Sequence, residues 1–170
     1  MDLISKSIAI VINALCDVLK YSLREQIEKT KTHLEKKYGA KKYLVYFQAY
    51  TNTFLKLQTL KDQYALSLTY PDVVGIVIGT RPDCLSKAFL DLWNEMATKT
   101  SVFVELGVQS LFDDQLEFMR RGHSAQDSID AIFKIKSLCP QVNVGIHLMF
   151  GLPGETDEHV IQTAKVCSQL

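Results

Sequence analysis

Val73–Asp83 reads VVGIVIGTRPD, an apolar run broken only by glycine that ends in Thr-Arg-Pro-Asp. A run without polar alternation is what a strand covered on both faces of a parallel sheet requires. Pro82 forbids helix in the residue before it, and Asp83 is placed to cap a helix running to about Thr98. Three further runs have the same form: YLVYFQAYTNT (Tyr43–Thr53), VFVELGVQS (Val102–Ser110) and VNVGIHLMFGLPGE (Val142–Glu155). Apolar strands whose C-terminal ends all carry special polar residues point to an α/β sheet or barrel that binds a ligand along one rim.

Between the strands the period changes from two to 3.6. Ser22–Tyr38 is polar, with Leu23, Ile27 and Leu34 sharing one helical face and Gly39 placed to end it. Thr53–Thr69 reads as a helix with Phe54, Leu55, Leu57, Leu60 and Tyr64 inward. Asp113–Met119 and Ser124–Leu138 form two helical pieces, the second with Ile129, Ile132, Phe133 and Ile135 as its buried stripe. Thr156–Leu170 is the last helix. Short connections between alternating elements imply parallel strands with right-handed crossovers. Four strands, or five counting Ile8–Ala14, cannot close an eight-stranded barrel, so a partial (β/α) barrel incomplete at both ends is expected, in one domain over residues 1–170.

The formal net charge is zero, so the chain as a whole offers no long-range field to nucleic acid. A local basic patch is present: Lys29, Lys31, Lys36, Lys37, Lys41 and Lys42, with Lys20 just upstream. Cys16, Cys84, Cys139 and Cys167 are far apart and form no CxxC, which argues against a disulfide framework or a zinc site and for reduced thiols. The apolar stretch in Ile4–Leu19 is interrupted by Asn13 and Asp17 and is shorter than the ~20 residues that span a bilayer. A buried element, no membrane association and a cytoplasmic location are the expectation.

The strand ends carry the chemistry. In Gly151–Glu155 two glycines let the backbone approach a ligand, with N–H groups free to point outward at the next helix start. The same residues also suit a plain tight turn with Glu155 in a first helical turn. Glu105 lies inside an apolar strand and must be paired, hydrogen-bonded or facing a cavity. It suits a sugar diol or a buried salt bridge to lysine or arginine. Gln109 and Ser110 supply donors and acceptors at the strand exit. Arg81 and Arg121 suit bidentate capture of carboxylate or phosphate, or simply a solvated surface. His147, in an apolar run, reads as a satisfied core histidine or a ligand contact, and His123 as a looser candidate. GxGxxG, GxxxxGK[ST] and a Ser-His-Asp order are all missing, which removes the dinucleotide, P-loop and hydrolase readings their signatures.

YFQAYTNT, GTRPDCL, ELGVQS followed by RRGH, and HLMFGLPGE, in this order, resemble the radical SAM superfamily, closest to the YhcC-type group related to the catalytic subunit of elongator. The resemblance covers roughly residues 22–170 and implies a (β/α)₆ partial barrel. It further implies S-adenosylmethionine on the C-terminal rim and a [4Fe–4S] cluster that, in full-length relatives, drives 5′-deoxyadenosyl radical chemistry, with RNA as a substrate, as in tRNA modification. By position it places Gln48, Tyr50 and Thr51 near the methionine amino group and Glu105 facing the ribose. Gln109 and Arg121 then approach the methionine carboxylate and the sugar, and His147 and Gly151 lie along the adenine side. One departure stands against these matches. The family's cluster needs three cysteine thiolates near the first strand, and Cys16 is the sole cysteine there. The cluster is therefore not expected in this chain alone, and the alternative is a non-catalytic remnant that keeps only the fold.

Overall fold

The computed structural model describes residues 8–13, 21–48 and 56–170. Among the described residues, five parallel strands form one sheet in the order β1 (Ile8–Asn13), β2 (Tyr43–Gln48), β3 (Val73–Thr80), β4 (Ser101–Gln109) and β5 (Asn143–Leu148). Sequence order and spatial order coincide. When every crossover has the same hand and the order never reverses, all the helices fall on one face of the sheet. That winding is the one that generates a (β/α) barrel, and five strands leave it open.

The helices are α1 (Leu23–Tyr38), α2 (Leu57–Ser67), α3 (Lys87–Ala97), α4 (Asp113–Phe118), α5 (Ala125–Leu138) and α6 (Asp157–Cys167). Against them the sheet turns Ile10, Ile12, Val45, Phe47, Ile76, Ile78, Val102, Val104, Leu106 and Val108, all buried. Leu23, Ile27, Leu60, Tyr64, Leu90, Trp93, Ile132 and Ile135 come down onto them from the helices. β4 alternates strictly, buried at even positions and half-exposed at Phe103, Glu105, Gly107 and Gln109. The second face of the sheet is thus open, and Val11 on β1 is 55% exposed there.

Local signals explain most boundaries. Ser22 and Glu25 form a capping box at the start of α1, and Gly39 ends it at φ 64° with its N–H on the Glu35 carbonyl. Ser124 and Asp127 form a second box on α5. Four expectations need correction. Asp83 does not cap α3: Pro82–Cys84 is a single 3₁₀ turn, Leu85 is extended, and Ser86 accepts the Phe89 N–H as the cap. The reason is that Arg81 already holds the Asp83 carboxylate through Nε at 2.9 Å and through Nη2. Phe133 is 51% exposed, because the buried stripe of α5 runs through Ser128, Ala131, Ile132 and Ile135, and Phe133 falls one position off it. Leu57 is 37% exposed at the first turn of α2; Thr53, Phe54 and Leu55 lie outside the described residues. Both the last strand and the last helix are shorter than expected, Asn143–Leu148 and Asp157–Cys167.

Candidate functional site

On the open face, Tyr46, Gly79, Glu105 and Gly145 lie across four adjacent strands. Gly79 and Gly145 are the two register partners of Glu105. A β-carbon on Gly145 would stand 3.3 Å from the Glu105 Cγ, so its absence gives the carboxylate side chain room. The Tyr46 ring passes over Gly79 to reach Glu105 from two strands away, and its hydroxyl donates to Oε2. His147 Nε2 meets the same oxygen at 2.8 Å. Burial first, then the hydrogen bond to Glu105, holds the Tyr46 hydroxyl well above the ordinary phenol range. Tyr46 therefore stays a donor at any working pH.

Glu105 is thus paired, but its partners are a tyrosine and a histidine and not the lysine or arginine of a buried salt bridge. His147 is no core residue either; its side chain is 49% exposed beside Glu105. Tyr46 was not read from the sequence. The available signal was the glycines inside two apolar strands, Gly79 near the end of β3 and Gly145 within β5, a mark of close approach by another group.

At the exit of β4 the backbone makes a tight turn. Ser110 N–H closes onto the Val108 carbonyl at 2.9 Å with Gln109 between them at φ 69°, a region that costs a non-glycine residue of order 1–3 kcal/mol. Arg120, at φ 53°, ends the short helix α4, and the Arg121 N–H bonds back to the Leu116 carbonyl at 2.9 Å. That reversal sends the Arg121 side chain onto β4, where its Nη2 donates to the Gly107 carbonyl at 3.1 Å. A β-carbon at Gly107 would meet Gln109 Nε2 at 3.0 Å and Arg121 Nη2 at 3.4 Å. Gln109 and Arg121, twelve positions apart, therefore converge over one glycine. Burial, then the neighbouring charge of Arg81, lowers the Arg121 pKa from its ordinary value, and its Nε is buried with no partner among the described residues. A guanidinium with unused donors suits an anionic ligand. Gln109→Gly is expected to raise stability by about 1 kcal/mol, by relieving the φ 69° strain, while weakening any ligand held by the amide. Urea unfolding midpoints of the two proteins check it.

His123 is buried behind this rim, its Nε2 3.3 Å from the Val108 carbonyl and its Nδ1 4.0 Å from Asp83 Oδ1. For Asp83, burial acts to raise the pKa, but the hydrogen bond and charge of Arg81 outweigh it and the net direction is down. The Arg81 guanidinium in turn lies against Gly122, where a β-carbon would stand 2.8 Å away. These contacts lock the β3 exit to the α4–α5 connection and so hold Arg121 in place. In the Gly151–Glu155 turn both glycines need their positive φ, 83° at Gly151 and 80° at Gly154. The Gly151 N–H does not point free; the Glu155 carboxylate takes it. Gln48 ends β2, exposed, while Tyr50 and Thr51 lie outside the described residues.

Among the described residues the cysteines do not converge. Cys84 sits in the 3₁₀ turn beside Asp83, Cys139 is buried on the helix side with Sγ 3.3 Å from the Leu90 carbonyl, and Cys167 ends α6. Burial pushes the Cys139 thiol up. Cys16 lies outside the described residues, and among those described no three His, Cys, Asp or Glu side chains gather to hold a metal.

Residues 16–167 match the family model described as the Radical SAM superfamily. The chain belongs to the radical SAM superfamily. An uncharacterised protein of Methanocaldococcus jannaschii is 40% identical over 154 residues, 89% of this chain and 46% of that one. Escherichia coli K12 YhcC is 39% identical over 127 residues, 73% of this chain and 40% of that one. A tRNA uridine(34) acetyltransferase of Methanocaldococcus infernus is 39% identical over 85 residues, half of this chain and 15% of that one. Among solved structures, the archaeal Elp3 of Methanocaldococcus infernus with an N-terminal deletion superposes with a TM-score of 0.69 at 24% identity, covering 94% of this chain and 41% of that one. The YhcC-type, elongator-like resemblance and the α/β parallel fold are thereby established. The chain spans somewhat under half the length of the relatives it matches over most of its own length. Among the described residues, the separated Cys84, Cys139 and Cys167 do not fit a [4Fe–4S] cluster.

Proposed function

We propose that this chain is the S-adenosylmethionine-binding part of a radical SAM protein that acts on RNA. One observation carries the reading: Gln109 and Arg121 meet over Gly107 on the same open face as the Tyr46–Glu105–His147 network. A guanidinium, a neutral amide and a carboxylate along one sheet face answer the three polar parts of adenosylmethionine. Arg121 grips the methionine carboxylate and Gln109 takes a neutral polar edge. Glu105, oriented by Tyr46 and His147, accepts from the ribose hydroxyls. Gln48 and Gly151 complete the rim by their positions at the ends of β2 and β5, and Tyr50 and Thr51, which follow Gln48 in the sequence, are assigned to it by the family resemblance alone.

The RNA substrate is supported by the tRNA uridine(34) acetyltransferase and by a tRNA-2-methylthio-N(6)-dimethylallyladenosine synthase among the similar proteins. In complete members of the family the cluster supplies one-electron chemistry, and none of that is assigned to residues of this chain. The separation of Cys84, Cys139 and Cys167 favours a second reading, a remnant that keeps the fold without cofactor chemistry. Thiols at Cys84, Cys139 and Cys167, none of them in a disulfide, support a cytoplasmic location; no described helix is long and apolar enough to cross a membrane.

Hydrogen exchange with and without adenosylmethionine separates the two readings. The expected result is slowed exchange at the amides of residues 105–110 and 121–123, at least halved in extent by Arg121→Gln. Unchanged exchange across both segments at saturating ligand would overturn the adenosylmethionine reading.

A further inference from the structure

Helix α1 has two chemically distinct flanks. On the side toward the α2–β3 turn its charges are already used: Lys31 Nζ binds Asp72 Oδ1 at 2.6 Å, Glu28 accepts the Tyr70 hydroxyl at 3.1 Å, and Arg24 lies over the Tyr70 ring at 5.9 Å. On the opposite side Lys29, His33, Lys36 and Lys37 follow one another at helical spacing, all exposed. Glu25, the acid nearest that side, forms the capping box with Ser22 and also feels the charge of Lys29. Lys41 and Lys42 follow in the loop before β2, Lys41 on the other flank beside Glu28, Lys31, Glu35 and Asp72. Among the described residues, none of Lys29, Lys36, Lys37 and Lys41 has an ion pair within 4.0 Å.

Aromatic rings stand at both ends of this flank. Lys29 Nζ lies 3.4 Å from the centroid of Tyr21, and Lys37 Nζ lies 4.9 Å from that of Tyr38. Tyr21 is 45% exposed and Tyr38 57%. Lysines without ion pairs, beside exposed rings, combine phosphate neutralisation with base stacking, the two forces that hold a single nucleic-acid strand. From Lys29 to Lys36 the helix rises about 10 Å, enough for the track to meet more than one phosphate. The whole chain is neutral, so attraction would be confined to this flank.

We infer that the Lys29–Lys37 flank of α1, bracketed by Tyr21 and Tyr38, is a docking track for single-stranded RNA. The inference rests on the RNA reading above and adds where the strand lies, on the helix layer and away from the open face of the sheet. A protein partner of acidic character would meet the lysines but gain little from the two rings.

Fluorescence anisotropy of the full chain with a labelled single-stranded oligoribonucleotide tests it across a salt series. Lys29→Gln, Lys36→Gln and Lys37→Gln together keep helix propensity nearly constant, so circular dichroism should be unchanged. Affinity for RNA should fall tenfold or more, and the slope of log affinity against log salt should shrink by about 2, the value for three lost phosphate contacts. Tyr21→Ala should weaken binding several-fold with the slope intact. Lys87→Gln with Lys99→Gln, on paired lysines of α3 and its exit, should change nothing. Wild-type affinity in the triple variant would overturn the track and leave the RNA reading standing. Tighter binding of poly-glutamate than of RNA would overturn it in favour of an acidic protein partner. Absence of RNA binding by the wild-type chain at low salt would overturn both readings, while adenosylmethionine binding would remain separately measurable.

Discussion

Gly75→Ala should abolish cooperative unfolding. A β-carbon at Gly75 would stand 2.3 Å from the Ser101 carbonyl oxygen and 2.9 Å from the Ser101 Cβ. The oxygen belongs to the backbone of the adjacent strand, and Gly75 and Ser101 are register partners where β4 begins. No rotamer change relieves such a contact; β3 and β4 must separate at the centre of the sheet. The expected loss exceeds about 4 kcal/mol, comparable with the whole stability of an ordinary domain. Gly79→Ala is the control on the same strand. Its β-carbon would meet nothing closer than 3.5 Å, so a native-like melt is expected. Thermal denaturation followed by circular dichroism compares the two, and a cooperative transition in Gly75→Ala near the wild-type midpoint would contradict the argument.

The second large effect falls on ligand binding. Glu105→Gln keeps the shape of the side chain and can still accept from Tyr46, but removes the charge that strengthens both hydrogen bonds. Stability is expected to change by no more than about 1 kcal/mol, since the network is half-exposed. Adenosylmethionine affinity should fall by about 10- to 100-fold, the size of a hydrogen bond to a charged group. Tyr46→Phe and His147→Ala share that carboxylate oxygen, so their effects on affinity should be non-additive, with a coupling of about 0.5–3 kcal/mol. Isothermal titration of the four combinations measures this. Strict additivity would mean that the two side chains do not orient Glu105 as a unit.

The elements most legible in the sequence were those whose signals are local. Tyr43–Gln48 and Val73–Thr80 declare themselves by runs rich in β-branched and aromatic residues, and Ser22, Gly39 and Ser124 by the hydrogen bonds their side chains or φ angles permit. The spacing of Gln109 and Arg121 was legible as a motif, but nothing in the spacing says that an αL residue at Arg120 folds the second back onto the first. Asp83 looked like a helix cap because capping residues are read locally, whereas its carboxylate was claimed by Arg81, a competition that a count along the chain does not reveal.

Alternation of apolar strands and amphipathic helices, sufficient to determine a parallel α/β fold, was already present in the residue order, because periodicity and turn chemistry act over a few residues. So was the family, through strand-end motifs that are contiguous. What only the tertiary structure decided was which residues face one another across strands. Register places Glu105 between Gly79 and Gly145, and the one-sided packing of helices leaves that face open to Tyr46 and His147. Register is set by the packing of the whole sheet, where a shift of one residue would turn Glu105 into the core, and no segment carries that information alone.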